Sequence, residues 1–141
     1  MPFELRDHTA DVAVEATADT LTAVFAAVAD GMAAAMCEDL PDEGDRFSLS
    51  VTAEGREALL FDYLDELIYQ RDVRAVLPVD NEVTGVERIE DDGAELWRLQ
   101  ANARGVPLDA IHAREIKAVT YSEMVLEETD GGWRAYVVFD V

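Results

Sequence analysis

RFSLSVTAEGREALLFDYLDELIYQR, residues 46 to 71, changes period partway along. Residues 46–53 alternate, with Phe47, Leu49, Val51 and Ala53 on one side and Ser48, Ser50 and Thr52 on the other. That is the period of a strand with one buried face. From Arg56 onward, Leu59, Leu60, Tyr63, Leu64, Leu67 and Ile68 recur at three- and four-residue steps, the apolar stripe of a helix. Asp62 and Glu66 stand four apart beside that stripe, a spacing open either to a bound cation or to water.

Towards the N-terminus, Phe3 to Arg6 and Asp11 to Thr17 read as strands, the second alternating through Val12, Val14 and Ala16. Asp19 or Thr20 is placed to cap a helix running to about Met36. Leu21, Val24, Phe25, Val28, Met32 and Met36 form its core face. CEDLPDEGD, residues 37–45, is a loop by composition. Towards the C-terminus the pattern becomes strand and turn. VTGVERIE and ELWRLQANA are joined by DDG, and EIKAVTYSEMVLEE and WRAYVVFDV by TDGG, two hairpin signals. The order predicts an α+β domain, residues 1–141, with two helices packed on a mainly antiparallel sheet.

The chain is the size of one ordinary domain at 141 residues, and half of them are hydrophobic. Thirty-one acids against eleven bases give a net charge of −20. Such a charge opposes direct binding to nucleic acid or an anionic membrane and favours basic protein surfaces or cations. Most of these acids are expected to form a solvated shell suited to high salt. One cysteine, Cys37, cannot form an intrachain disulfide, and the start MPFELRDHTADV is unlike a signal peptide. LTAVFAAVADGMAAAM is interrupted by Asp30 and Gly31 and is too short to span a bilayer. The expected location is the cytoplasm.

Few residues suggest chemistry. DHTAD, residues 7–11, gathers two Asp, a His and a Thr before a strand. His8 and His112 lack the spacing of a zinc pair, and there is no phosphate loop, GxSxG or CxxC. The ending FDV places the Asp140 carboxylate next to the Val141 backbone oxygen, a pair of hard donors of the kind calcium or magnesium prefers. Asp11 would join them if its strand lies beside the last one; otherwise Asp140 is an acid at an exposed end. Lys117 is the only lysine, the other ten bases being arginine. Alternation predicts Ile116, Ala118 and Thr120 on one face of a strand and Lys117, Val119 and Tyr121 on the other. Lys117 is then either a stem covering apolar surface or a compact charge suited to a phosphate or carboxylate.

DHTADV, LLFDYLDELIY, EIKAVTY and the terminal FDV, in this order, resemble the archease family. The resemblance spans nearly the whole chain. It implies an α+β fold with a strand–helix–strand–strand module. It also implies a non-catalytic protein cofactor of the tRNA-splicing RNA ligase, which joins 3′-phosphate or cyclic-phosphate ends to 5′-hydroxyls. Such a cofactor promotes guanylylation of the ligase and its multiple turnover. A calcium-type metal site is implied on Asp11, Asp140 and the backbone of Val141, with Lys117 important for activation. Ser122 stands where the family often has His. A chaperone or interaction module for RNA-processing enzymes, with a purely structural metal, is the alternative. A phosphoryl-transfer enzyme ranks last, because no nucleophile or general base stands out.

Overall fold

A computed structural model describes residues 3–7 and 11–141. In chain order the elements are β1 (Phe3–Asp7), β2 (Asp11–Ala18), α1 (Leu21–Met36), β3 (Asp45–Ala53), α2 (Arg56–Arg74), β4 (Val76–Asp91), β5 (Ala94–Pro107), a 3-10 turn (Leu108–Ala110), β6 (Ala118–Thr129) and β7 (Gly132–Asp140). The strands form two sheets, both antiparallel: four strands in the order β1-β2-β7-β6 and three in the order β3-β5-β4. The second sheet with α2 is the strand–helix–strand–strand module, β3-α2-β4-β5. Two sheets stand where the sequence pattern suggested one. Each helix touches both: α1 packs on β2 and β4, and α2 on β6 and β3. One apolar core therefore runs across the two sheets.

Local chemistry accounts for the helix ends. Thr20 caps α1, its hydroxyl accepting from the Ala23 N–H at 3.2 Å. α2 ends on Ala75 in the left-handed region, φ 57°, where glycine is the usual residue. The two residues that interrupt the apolar run of α1 have separate reasons. A Cβ on Gly31 would stand 2.5 Å from the Val14 methyl and 3.1 Å from the Phe3 ring, so glycine lets α1 lie close on the sheet. The Asp30 carboxylate accepts two bonds from Asn81, from the backbone N–H and the side-chain amide, each 3.0 Å.

Asn81 sits where β4 breaks register with β5, between Val79 and Glu82, and Asp80 beside it has a φ of 47°. This bulge hides the first part of β4 from a period-two reading. Arg104 bonds Asp80, and Arg46 reaches Asn102 and the Asp80 carbonyl, which fixes the bulge from the other side. Between the sheets, Arg56 at the start of α2 lies over both tryptophans, 5.7 Å from the Trp97 ring on β5 and 5.1 Å from the Trp133 ring on β7. Among the described residues no helix is long and apolar enough to cross a membrane.

Candidate metal centre

The four-stranded sheet decides which distant residues meet. β2 pairs with β7 so that Asp11 stands directly opposite Asp140. On the other side of β7, Ala118 of β6 pairs with the same Asp140. The residue before it, Lys117, donates its backbone N–H to the Asp140 carbonyl at 2.8 Å. Three residues from opposite ends of the chain, Asp11, Lys117 and Asp140, are thereby held at one end of one sheet, with Val141 next in line. The condition set on Asp11 from the sequence, that its strand lie beside the last one, is met.

Residues directly opposite in an antiparallel pair carry their side chains on the same face, about 4.5–5.5 Å apart at Cβ, and like charges there repel. Among the described residues neither Asp11 nor Asp140 has an ion-pair partner. Two facing carboxylates beside a backbone oxygen are a donor set that fits a hard cation. Among the described residues no group holds three or more His, Cys, Asp or Glu side chains suited to a metal. His8, Thr9 and Ala10 of the DHTAD motif lie outside the described residues.

The alternation drawn across Lys117 does not hold. Residues 112–117 have no regular structure and β6 begins only at Ala118. Ile116 and Val119 are both buried, while Lys117 is exposed, so Lys117 and Val119 do not share a face. The period-two pattern fails because the chain enters the strand between them. In place of a ladder, three bonds fix this segment. The Arg114 N–H donates to the Met36 carbonyl at 2.6 Å, Arg71 Nη1 donates to the Ile116 carbonyl at 2.8 Å, and the third is the Lys117 bond.

Arg71 is the residue that sequence reading missed. It is 8% exposed, bonds Asp72 at 3.0 Å, and places its charge under the peptide preceding Lys117. A buried cation is costly unless it is paired and hydrogen-bonded. A signal was present, since Arg71 continues the stripe of Leu60, Leu64 and Leu67 at the next helical step. A base on a buried stripe marks something that needs a donor. Beside this segment a cleft of about 640 Å³ is lined by Val12, Met36, Cys37, His112 and Arg114, among others.

The remaining candidates do not converge. Glu66 accepts from the Gln70 side-chain amide at 2.6 Å. The Asp62 carboxyl is pushed up by desolvation and by the nearby charge of Asp65. Cys37 is buried, its thiol donating to the Asp39 carbonyl at 3.4 Å.

Taken together, these features define an α+β protein with two helices on antiparallel sheets and an acidic carboxylate pair brought together by its second and last strands. The chain belongs to the archease family: the family model described as "Archease protein family (MTH1598/TM1083)" matches residues 3–141. Protein archease of Methanosarcina mazei is 35% identical, over 99% of this chain and 95% of that protein. Protein archease of Methanopyrus kandleri is 33% identical over the full length of both. The solution structure of Methanobacterium thermoautotrophicum protein 1598 aligns with a TM-score of 0.79 at 31% identity, covering 99% of each chain. The crystal structure of an archease from Thermotoga maritima, a possible chaperone, shares the fold with a TM-score of 0.58 at 17% identity, covering 98% of this chain and 96% of that one.

Proposed function

We propose that this chain is a non-catalytic protein cofactor of the tRNA-splicing RNA ligase, promoting guanylylation of the ligase and its multiple turnover. The observation that supports it best is the juxtaposition of Asp11, Asp140 and the Lys117 peptide, three positions of the family's motifs, at one sheet end. Asp11, Asp140 and the Val141 carbonyl would hold a calcium-type ion. When bound, the ion supplies positive charge between the two facing carboxylates and keeps coordination positions for water or a partner's oxygen, since calcium takes roughly six to eight. Lys117, exposed beside Asp140, offers a compact cation to a phosphate or a carboxylate of the ligase. Arg71 holds the Ile116 carbonyl and so sets where Lys117 begins. An acidic surface suits a basic, RNA-handling partner.

The test is a ligation time course with limiting ligase, GTP and divalent metal, with and without this protein. Product beyond one turnover only in its presence is the expected result; a stall at about one turnover in both reactions refutes the proposal. Lys117→Arg, which keeps the charge and loses the compact head, is expected to fold normally and activate less. A chaperone for RNA-processing enzymes is the second reading, favoured by the kinship with the Thermotoga fold. Suppression of thermal aggregation of unrelated client proteins would distinguish it.

A further inference from the structure

Among the described residues four large hydrophobic side chains are more than a third exposed, and three of them gather along α2. Tyr69 (57% exposed) and Val73 (61%) stand one turn apart on its outward stripe, in line with Asp62 and Glu66. The third, Tyr121 (55%), lies flat on Phe61 of α2, with ring centroids 4.2 Å apart and an interplanar angle of 7°. Its presentation is built in. The pairing of β6 with β7 lapses between Thr120 and Val125, and Glu123 takes a φ of 58°. The chain runs into β6 across α2, with Ile116 at Arg71 on the buried side of the helix and Tyr121 at Phe61 beside its exposed face.

Acids surround these rings. Asp62, Asp65, Glu66 and Asp72 all lie on α2, and among the described residues neither Asp62 nor Asp65 has a cationic partner. Burial and the Asp62 charge also push the Tyr121 hydroxyl up from its ordinary value.

We propose that the outward face of α2, with Tyr121 stacked at its N-terminal half, docks a lysine- and arginine-bearing segment of a protein partner. Tyrosine supplies large, rigid contact area with few rotors, the usual centre of a binding hot spot. The acids around it steer and select a cationic partner. A second copy of this chain would bring acid against acid at a net charge of −20 each, and a nucleic acid or anionic membrane would be repelled likewise. The identification of that partner with the RNA ligase rests on the function proposed above. The last turn of α2 also holds the peptide before Lys117, so a partner seated along the helix extends towards that residue.

The experiment is biolayer interferometry of the full chain against the RNA ligase of the same organism, across a salt series. The double variant Tyr69→Ala/Val73→Ala changes exposed positions only, and its thermal midpoint is compared with wild type. It is expected to weaken binding about tenfold or more, as loss of a hot spot does. Asp62→Asn/Asp65→Asn is expected to slow association and flatten the salt dependence. Equal affinity of wild type and Tyr69→Ala/Val73→Ala overturns this inference and leaves the ligase reading standing. Absence of binding by wild type overturns the ligase reading and the occupant assigned here with it. A wild-type dimer in sedimentation that the double variant dissolves would also overturn it, in favour of a second copy.

Discussion

Asp30 offers a quantitative test of how α1 is tied to the bulge in β4. Its carboxylate accepts from the Asn81 N–H and side-chain amide, each at 3.0 Å, and Asn81 is 6% exposed. Asp30→Ala leaves both donors without their acceptor in a place water reaches poorly. Stranding a buried donor costs about 1–3 kcal/mol, so the variant is expected to lose about 2 kcal/mol in urea unfolding at neutral pH. Asp30→Asn keeps an acceptor oxygen and removes the charge. Desolvation by burial, the largest influence on this carboxyl, raises its pKa above the ordinary 3.8, against the lowering effect of the Asn81 bonds. The folded state therefore holds the proton more tightly than the unfolded one. Its contribution to stability is fully present below pH 3.8 and is lost as pH rises through the folded-state pKa. At neutral pH that cost is fully in place for Asp and absent for Asn. Asp30→Asn is thus expected to equal or exceed wild type at neutral pH, and to fall behind relative to it as the medium is acidified towards pH 3.8. Subtracting the two curves cancels the other acids. An Asp30→Asn protein as unstable as Asp30→Ala at neutral pH would refute the reasoning and show that the charge, not the acceptor, holds the bulge.

Three further outcomes follow from the fold. Gly31→Ala gains about 1 kcal/mol of helix propensity, yet the new Cβ would meet Val14 at 2.5 Å. Overpacking costs about 1–3 kcal/mol, so chemical denaturation should show net destabilisation. Ala75→Gly relieves a left-handed residue at φ 57° and is expected to stabilise by about 0.5–1 kcal/mol in the same assay. Arg71→Met keeps an unbranched apolar stem but removes the guanidinium and strands the Ile116 carbonyl, so a loss of about 1–3 kcal/mol is expected. Arg71→Lys, which restores a donor, should recover part of that stability.

Much of this architecture was legible because it rests on period and turn chemistry. The limits of α1, the Thr20 cap and both late hairpins follow from residues that act locally; Asp92 and Gly93, at φ 50° and 82°, make the turn that the DG pair announces. The meeting of Asp11 with Asp140 could be stated only as a condition, since strand order is not a local property. The early part of β4 was hidden because its bulges break the alternation and are held by Asp30, some fifty positions earlier. The division into two sheets was hidden for the same reason. Lys117 was misplaced onto a strand because buried Ile116 imitates a strand residue, although its carbonyl is satisfied by Arg71 instead of a neighbouring strand.

The register of β2 on β7 has a kinetic consequence as well. Asp11 and Asp140 come from opposite ends of the chain, so the carboxylate pair cannot form from any contiguous fragment. Closing so long a loop is entropically expensive and is compensated only when the whole sheet zips. A chain whose last strand has not docked lacks the pair altogether, and a cation that needs both carboxylates would bind native molecules while ignoring partly folded ones. Such a ligand would stabilise the native state by mass action alone, acting as a check on completed folding.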